Sequence, residues 1–68
     1  MEKVFKIIEL VGTSKVGYDD AAKAAIKQAA DTVKGMSWFE VVQMRGGIKD
    51  GQIDEYQVIL KVGFKVLA

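Results

Sequence analysis

The pair Asp50-Gly51, set between two long runs of strand-forming residues, constrains the fold more than any other feature of the chain. A two-residue type I′ turn needs positive φ at both central positions, and Asp-Gly is one of the few pairs that supplies it readily. Residues 36–46 and 52–66 are therefore expected to form an antiparallel hairpin whose facing residue numbers sum to a constant. In that register Lys49 faces Gln52, Arg45 faces Tyr56, Met44 faces Gln57, Val42 faces Ile59, Glu40 faces Lys61 and Trp38 faces Gly63. Glu40 and Lys61 then stand directly across from each other, which supports the register. Gly46-Gly47, just before the turn, points to a bulge or a close backbone approach.

The register sorts the side chains onto two faces. Phe39, Val41, Tyr56, Val58, Leu60, Val62, Phe64 and Val66 form one continuous apolar face, expected to lie under a helix. The other carries Trp38, Glu40, Val42, Met44, Gln57, Ile59, Lys61 and Gly63 and is mixed in character.

Upstream, residues 3–11 are rich in β-branched and aromatic types and read as a further strand, followed by a glycine-bounded loop over 12–17. A helix is expected from about Tyr18 to Lys34. Asp19 and Asp20 suit its positive end, and Gly35 is placed to serve as the left-handed residue after it. Ala22, Ala25, Ile26, Ala29, Ala30 and Val33 recur at helical spacing as its buried stripe. The fold class is thus α+β: a β-α-β-β subunit with a three-stranded antiparallel sheet and one helix on one face. One helix cannot cover both faces, so a Trp, a Met and two β-branched residues are left on open sheet. Such a patch usually marks an interface or a ligand surface.

Composition narrows the chemistry. There is no Cys, which rules out disulfides and thiolate chemistry, and no His, which removes the usual zinc and copper ligand sets and any His-dependent triad. Ten basic residues against nine acidic ones leave a formal charge of +1, too balanced for a nucleic-acid footprint or an anionic membrane. No apolar run approaches the roughly 20 residues of a membrane span, and Met1 leads into Glu2-Lys3 rather than an apolar leader, so the cytoplasm is expected. A chain of 68 residues, half of them hydrophobic, has few ways to stabilise itself other than association. A closed homo-oligomer follows as an expectation.

Three residues stand out as candidates for binding. Trp38 is either a core or interface aromatic or a stacking platform for a planar ligand, with Gly63 opposite leaving room for a flat ring. Gln57 is either a solvent-facing strand residue or an amide that donates to and accepts from a heterocycle edge. Arg45 is either a solvated strand-end charge or a partner for a carboxylate or phosphate. Six residues of strand separate the level of Trp38 from Gln57, roughly 20 Å, so one ring can meet both only at a junction between chains. The loop Gly12-Thr13-Ser14 could offer N–H groups to an anion, but lacks P-loop or dinucleotide spacing. No pair of carboxylates suggests catalysis.

The order Val-Gly-Thr-Ser (11–14), Asp-Asp-Ala-Ala (19–22), Trp-Phe-Glu-Val (38–41), Arg-Gly (45–46), Tyr-Gln-Val (56–58) and Val-Gly-Phe (62–64) resembles the dodecins, over essentially the whole chain. The resemblance implies one dodecin-like domain over residues 1–68, assembled as a hollow homododecamer. It implies stacked flavin pairs at subunit interfaces, FMN or riboflavin, sandwiched between symmetry-related tryptophans. Trp38 matches that tryptophan, Gln57 the glutamine that bonds the isoalloxazine, and Arg45 a pocket position of bacterial members. The implied role is flavin storage or sequestration with quenching of the excited state, not catalysis. Coenzyme A is a further ligand of some members. Gly17 stands where many members have a Ser helix cap, and Lys65 alters the region of the phosphate or coenzyme A contacts. Two rival readings use the same residues: a scaffold or coenzyme A-binding oligomer without flavin, and a small oligomeric enzyme such as an isomerase, which the absence of His, Cys and an N-terminal Pro disfavours.

Overall fold

A computed structural model of the chain describes residues 2–66; Met1, Leu67 and Ala68, the ends of the 1–68 span, lie outside the described residues. The elements run β1 (Phe5–Ser14), α1 (Tyr18–Ala29), β2 (Met36–Lys49) and β3 (Gln52–Lys65). The strands form one antiparallel sheet in the order β1-β3-β2, which is the expected β-α-β-β fold. Asp50 and Gly51 have φ of 53° and 76°, the two left-handed positions that a type I′ turn demands.

The hairpin register is as expected beside the turn and from Trp38 to Val41, displaced by one residue between these stretches, and displaced again at the far end, where Ser37 is an extra residue on β2 and Met36 faces Phe64. Trp38 faces Gly63, Glu40 faces Lys61, Val41 faces Leu60 and Lys49 faces Gln52. Between these, Met44 faces Val58 and Arg45 faces Gln57 instead of Gln57 and Tyr56. Two further irregularities cause the shift in the middle. Val42 is an extra residue on β2 between Val41 and Gln43, and Asp54 is an extra residue on β3 opposite the step from Gly47 to Ile48. The second lies beside the glycine pair that signalled a bulge. A bulge resets the alternation of the strand that carries it. Met44 therefore belongs to the helix side, and Arg45 joins Trp38 and Glu40 on the open side.

Strand β1 extends to Ser14, so Gly12, Thr13 and Ser14 are built into the ladder with Val58, Gln57 and Tyr56 rather than left as an anion-binding loop. The remaining turn is short. Ser14 Oγ accepts from the N–H groups of Val16 and Gly17, at 2.9 and 3.4 Å, and so shapes the entry to α1. Gly17 is the N-cap and supplies no side-chain bond, as its lack of a hydroxyl requires. The helix stops at Ala29, five residues earlier than its expected end. Thr32 and Val33 are β-branched and Asp31 is a weak helix former, so little favours another turn. Gly35 does adopt a positive φ of 75°, but not as the helix terminator. It turns the chain into β2, where its carbonyl accepts from Lys65 N–H at 2.9 Å.

The core is narrow: Ala21, Ala25, Val58, Leu60 and Val62 are buried, with Ile8, Leu10, Ala22, Ile26 and Met36 packed against them. The helix buries Ala21, Ala25 and Ala29 at a spacing of four. Of the expected stripe, Ala25 and Ala29 are buried and Ala22 and Ile26 pack against the core, while Ala21 is inside and Ala30 is exposed, contrary to expectation. The cause is Gly12: a Cβ there would overlap the carbonyl of Ala21, so β1 and α1 meet backbone to backbone. This close seating carries α1 over β1 and β3. The helix side of β2 is left uncovered, with Phe39 53%, Val41 45% and Met44 59% exposed, although Phe39 and Val41 were expected beneath the helix. A groove of about 410 Å³ separates α1 from β2, lined by Tyr18, Ala22, Lys23, Phe39, Val41, Met44 and Val58 among others.

Candidate functional site

The open face is laid out in rows across β1, β3 and β2. At one end the row is Ile7, Gly63 and Trp38; next comes Glu9, Lys61 and Glu40; then Val11, Ile59 and Gln43; and finally Thr13, Gln57 and Arg45. A lysine between two glutamates divides an aromatic end from a polar end. The aromatic end gains Phe5, whose ring centroid lies 5.0 Å from that of Trp38 at an interplanar angle of 58°. Sequence reasoning missed Phe5, because no hairpin links β1 to β3 and nothing local fixes their register.

The role of Gly63 differs from the expectation. A Cβ at Gly63 would overlap atoms Cζ2, Cε2 and Cη2 of Trp38. The space above the glycine is therefore filled by the indole of the same chain, not held open for a ligand ring. The consequence is a platform: one indole face lies on bare backbone, Phe5 packs against the ring, and Trp38 remains 44% exposed. An amphipathic aromatic held this way offers a flat, preorganised surface for stacking.

At the polar end Arg45 Nε donates to Gln57 Oε1 at 2.7 Å, a short charge-assisted hydrogen bond. The bulge at Val42 makes it possible by placing both side chains on the open face in one row. The three candidate residues thus fall into two groups: Arg45 with Gln57, and Trp38 six β3 residues away beside Gly63. At about 3.3 Å per residue that is roughly 20 Å, as expected from the hairpin. A flat ring stacked on Trp38 therefore lies too far from the Arg45–Gln57 pair of its own chain to touch it.

An isoalloxazine suits these groups: it has two broad faces for the indole and a polar edge of two carbonyls and one N–H for amide and guanidinium donors. Among the described residues, no group of three or more His, Cys, Asp or Glu side chains stands together. One further contact escaped the sequence. Lys15 Nζ donates to both the carbonyl and the Oδ1 of Asp54, each at 3.0 Å, so the bulged residue of β3 is tied to the β1–α1 turn. No helix among the described residues is long and apolar enough to cross a membrane.

Comparison with known proteins agrees with the fold. The family model described as Dodecin matches residues 4–67. The chain is 47% identical over 66 residues to the dodecin of Thermus thermophilus, covering 97% of this chain and 96% of that one. It is 29% identical over 63 residues to the calcium dodecin of Mycobacterium tuberculosis, covering 93% and 89%. The solved dodecin from Streptomyces davaonensis superposes with a TM-score of 0.95 at 40% identity, covering 100% of both chains. With its β-α-β-β sheet, its indole platform and a family match that runs nearly from end to end, the chain belongs to the dodecin family.

Proposed function

We propose that this chain is a flavin-binding storage or sequestration protein that acts as a homododecamer, with FMN or a related flavin stacked in pairs at the seams between subunits. The observation that carries the reading is the Trp38 indole, laid flat over Gly63 with 44% of the residue exposed, on a sheet face that no element among the described residues covers. Membership of the dodecin family supports the ligand class and the assembly. In this reading Trp38 supplies stacking and drains the excited state of the ring. Gln57 of a neighbouring copy bonds the ring edge, and Arg45 adds positive charge that favours a phosphorylated flavin over a neutral one.

The chemistry is binding, not turnover. Stacking contributes about 0.5–1.5 kcal/mol per aromatic pair beyond area burial, and excluding water from both ring faces adds to it. Trp38→Ala should lower FMN affinity by roughly tenfold or more in a fluorescence-quenching titration, with the native mass unchanged. Unchanged quenching in that variant would sink the assignment. A scaffold or coenzyme A carrier without flavin chemistry would instead give a colourless sample that leaves FMN fluorescence intact. The visible spectrum and native mass of the purified 7.5 kDa chain therefore separate the two readings.

A further inference from the structure

We infer that Asp50 is a modification site, where the side-chain carboxyl closes onto the backbone nitrogen of Gly51 and leaves an isoaspartyl link at the tip of the β2–β3 hairpin. The inference is independent of the flavin reading. Of the five aspartates in the chain, Asp50 alone is followed by glycine. The others precede Asp20, Ala21, Thr32 and Glu55, whose side chains crowd an approach to the nitrogen. Gly51 has no such screen, and a Cβ built on it would meet nothing within 4 Å.

Both reacting groups are unengaged. In a type I′ turn the N–H of the second central residue lies outside the ladder, and among the described residues Gly51 N–H makes no backbone hydrogen bond in the turn. The Asp50 carboxylate takes part in no hydrogen bond or ion pair among the described residues. Asp54, by contrast, is held by Lys15 Nζ at 3.0 Å. Asp19 and Asp20 lie within α1, and Asp31 precedes a Thr32 N–H that donates to the Ala29 carbonyl at 3.1 Å. The closed turn does not itself align carboxyl and nitrogen, so ring closure follows opening of the tip. Opening is easy here. Residues 48–54 are all exposed, so no buried side chain anchors the hairpin beyond the irregularity at Asp54. A segment without buried apolar contacts opens at the low end of the stability range.

In the open tip a bond forms between Gly51 N and Asp50 Cγ, and the amide proton and the carboxyl hydroxyl leave together as water. Water then adds to the imide. Cleavage at the side-chain carbonyl restores Asp50. Cleavage at the main-chain carbonyl routes the backbone through Cβ and Cγ and leaves the former main-chain carbonyl as a free carboxylate. Mass and charge are unchanged, and no redox partner is needed. The main chain gains one methylene, so a turn that closes with two residues no longer fits.

The test ages the intact assembly for weeks in warm, neutral buffer. Isoaspartate is counted by methyl transfer from S-adenosylmethionine with a protein isoaspartyl methyltransferase and located by peptide mapping. Label should accumulate at Asp50 and stay at background at Asp19, Asp20, Asp31 and Asp54. Asp50→Asn keeps a pair suited to the turn and expels ammonia in place of water, so label should build up several-fold faster at that position. Asp50→Glu must close a ring one methylene larger and should lose the label. Label spread evenly over the aspartates overturns the inference. So does an assembly that stays unlabelled at Asp50 while the same chain aged in urea acquires label there, and so does an Asp50→Asn chain that ages without forming isoaspartate.

Discussion

Two glycines set the closest approaches in the subunit, and each explains why a neighbouring large or helical group sits where it does. Gly63 lets the indole of Trp38 lie against the central strand, and Gly12 lets the carbonyl of Ala21 come down onto β1. Gly63→Ala must lift the indole. The cost should be about 1–3 kcal/mol, typical of forcing extra volume into a packed site, with a shift in Trp38 emission and weakened FMN quenching as the readouts. Gly12→Ala meets backbone, which cannot step aside as a side chain can. It should cost at least as much in a denaturant titration while leaving the indole signal of the folded protein unchanged. These positions also mark a limit of reading residues from sequence. That Trp38 and Gly63 face each other followed from the hairpin turn. Which group fills the space above the glycine did not, because it depends on the indole rotamer and on Phe5 arriving from a strand not joined to β3 by a turn.

At the scale of elements, the hairpin was legible where chemistry marks it and illegible where nothing does. Asp50-Gly51 announces its turn, and Gly46-Gly47 announces the irregularity near Asp54. Val42, a β-branched residue between strand-like neighbours, has no signature of a bulge, so counting by twos across it put Arg45 and Met44 on the wrong faces. The helix stripe was right at Ala22, Ala25, Ile26 and Ala29 and wrong at its edges for a related reason: alanines fill so many positions that periodicity alone cannot choose between Ala21 and Ala30, and the choice belongs to Gly12. The Val42 bulge can be tested by parity. Seven residues with one bulge between them, or six with none, return Trp38 and Arg45 to the same face. Deleting Val42 should therefore preserve FMN quenching, whereas inserting one alanine beside it should turn Arg45 toward the helix side and weaken quenching. The Lys15–Asp54 tie, by contrast, is largely exposed. Lys15→Ala should shift stability by no more than about 1 kcal/mol in thermal unfolding, since exposed ion pairs rarely contribute more.

For the molecule as a whole, the telling property is that β2 shows apolar side chains on both sides: Trp38 on one, Phe39, Val41 and Met44 on the other. The three-layer arrangement that would cover them is not available within one chain, and the small alanine core leaves little stability in reserve. Phe39→Glu, on the side away from the indole, should break the native mass into smaller species and lower the melting temperature. A variant that kept the native assembly would show that this surface lies outside the subunit contacts. An expectation of partners followed from the apolar excess and the missing cysteines. Which strand is left bare did not follow, because the offset of the helix toward β1 arises from a single close contact at Gly12.

The strand order carries a consequence for how the chain is made. The middle of the sheet is β3, the last of the three strands to be synthesised, and among the described residues β1 and β2 each pair with β3 alone. On a translating ribosome the first fifty residues can prepare a helix but have no ladder to join. The pleated layer can close only when residues 52–65 emerge, so the sheet forms late and in one step rather than strand by strand.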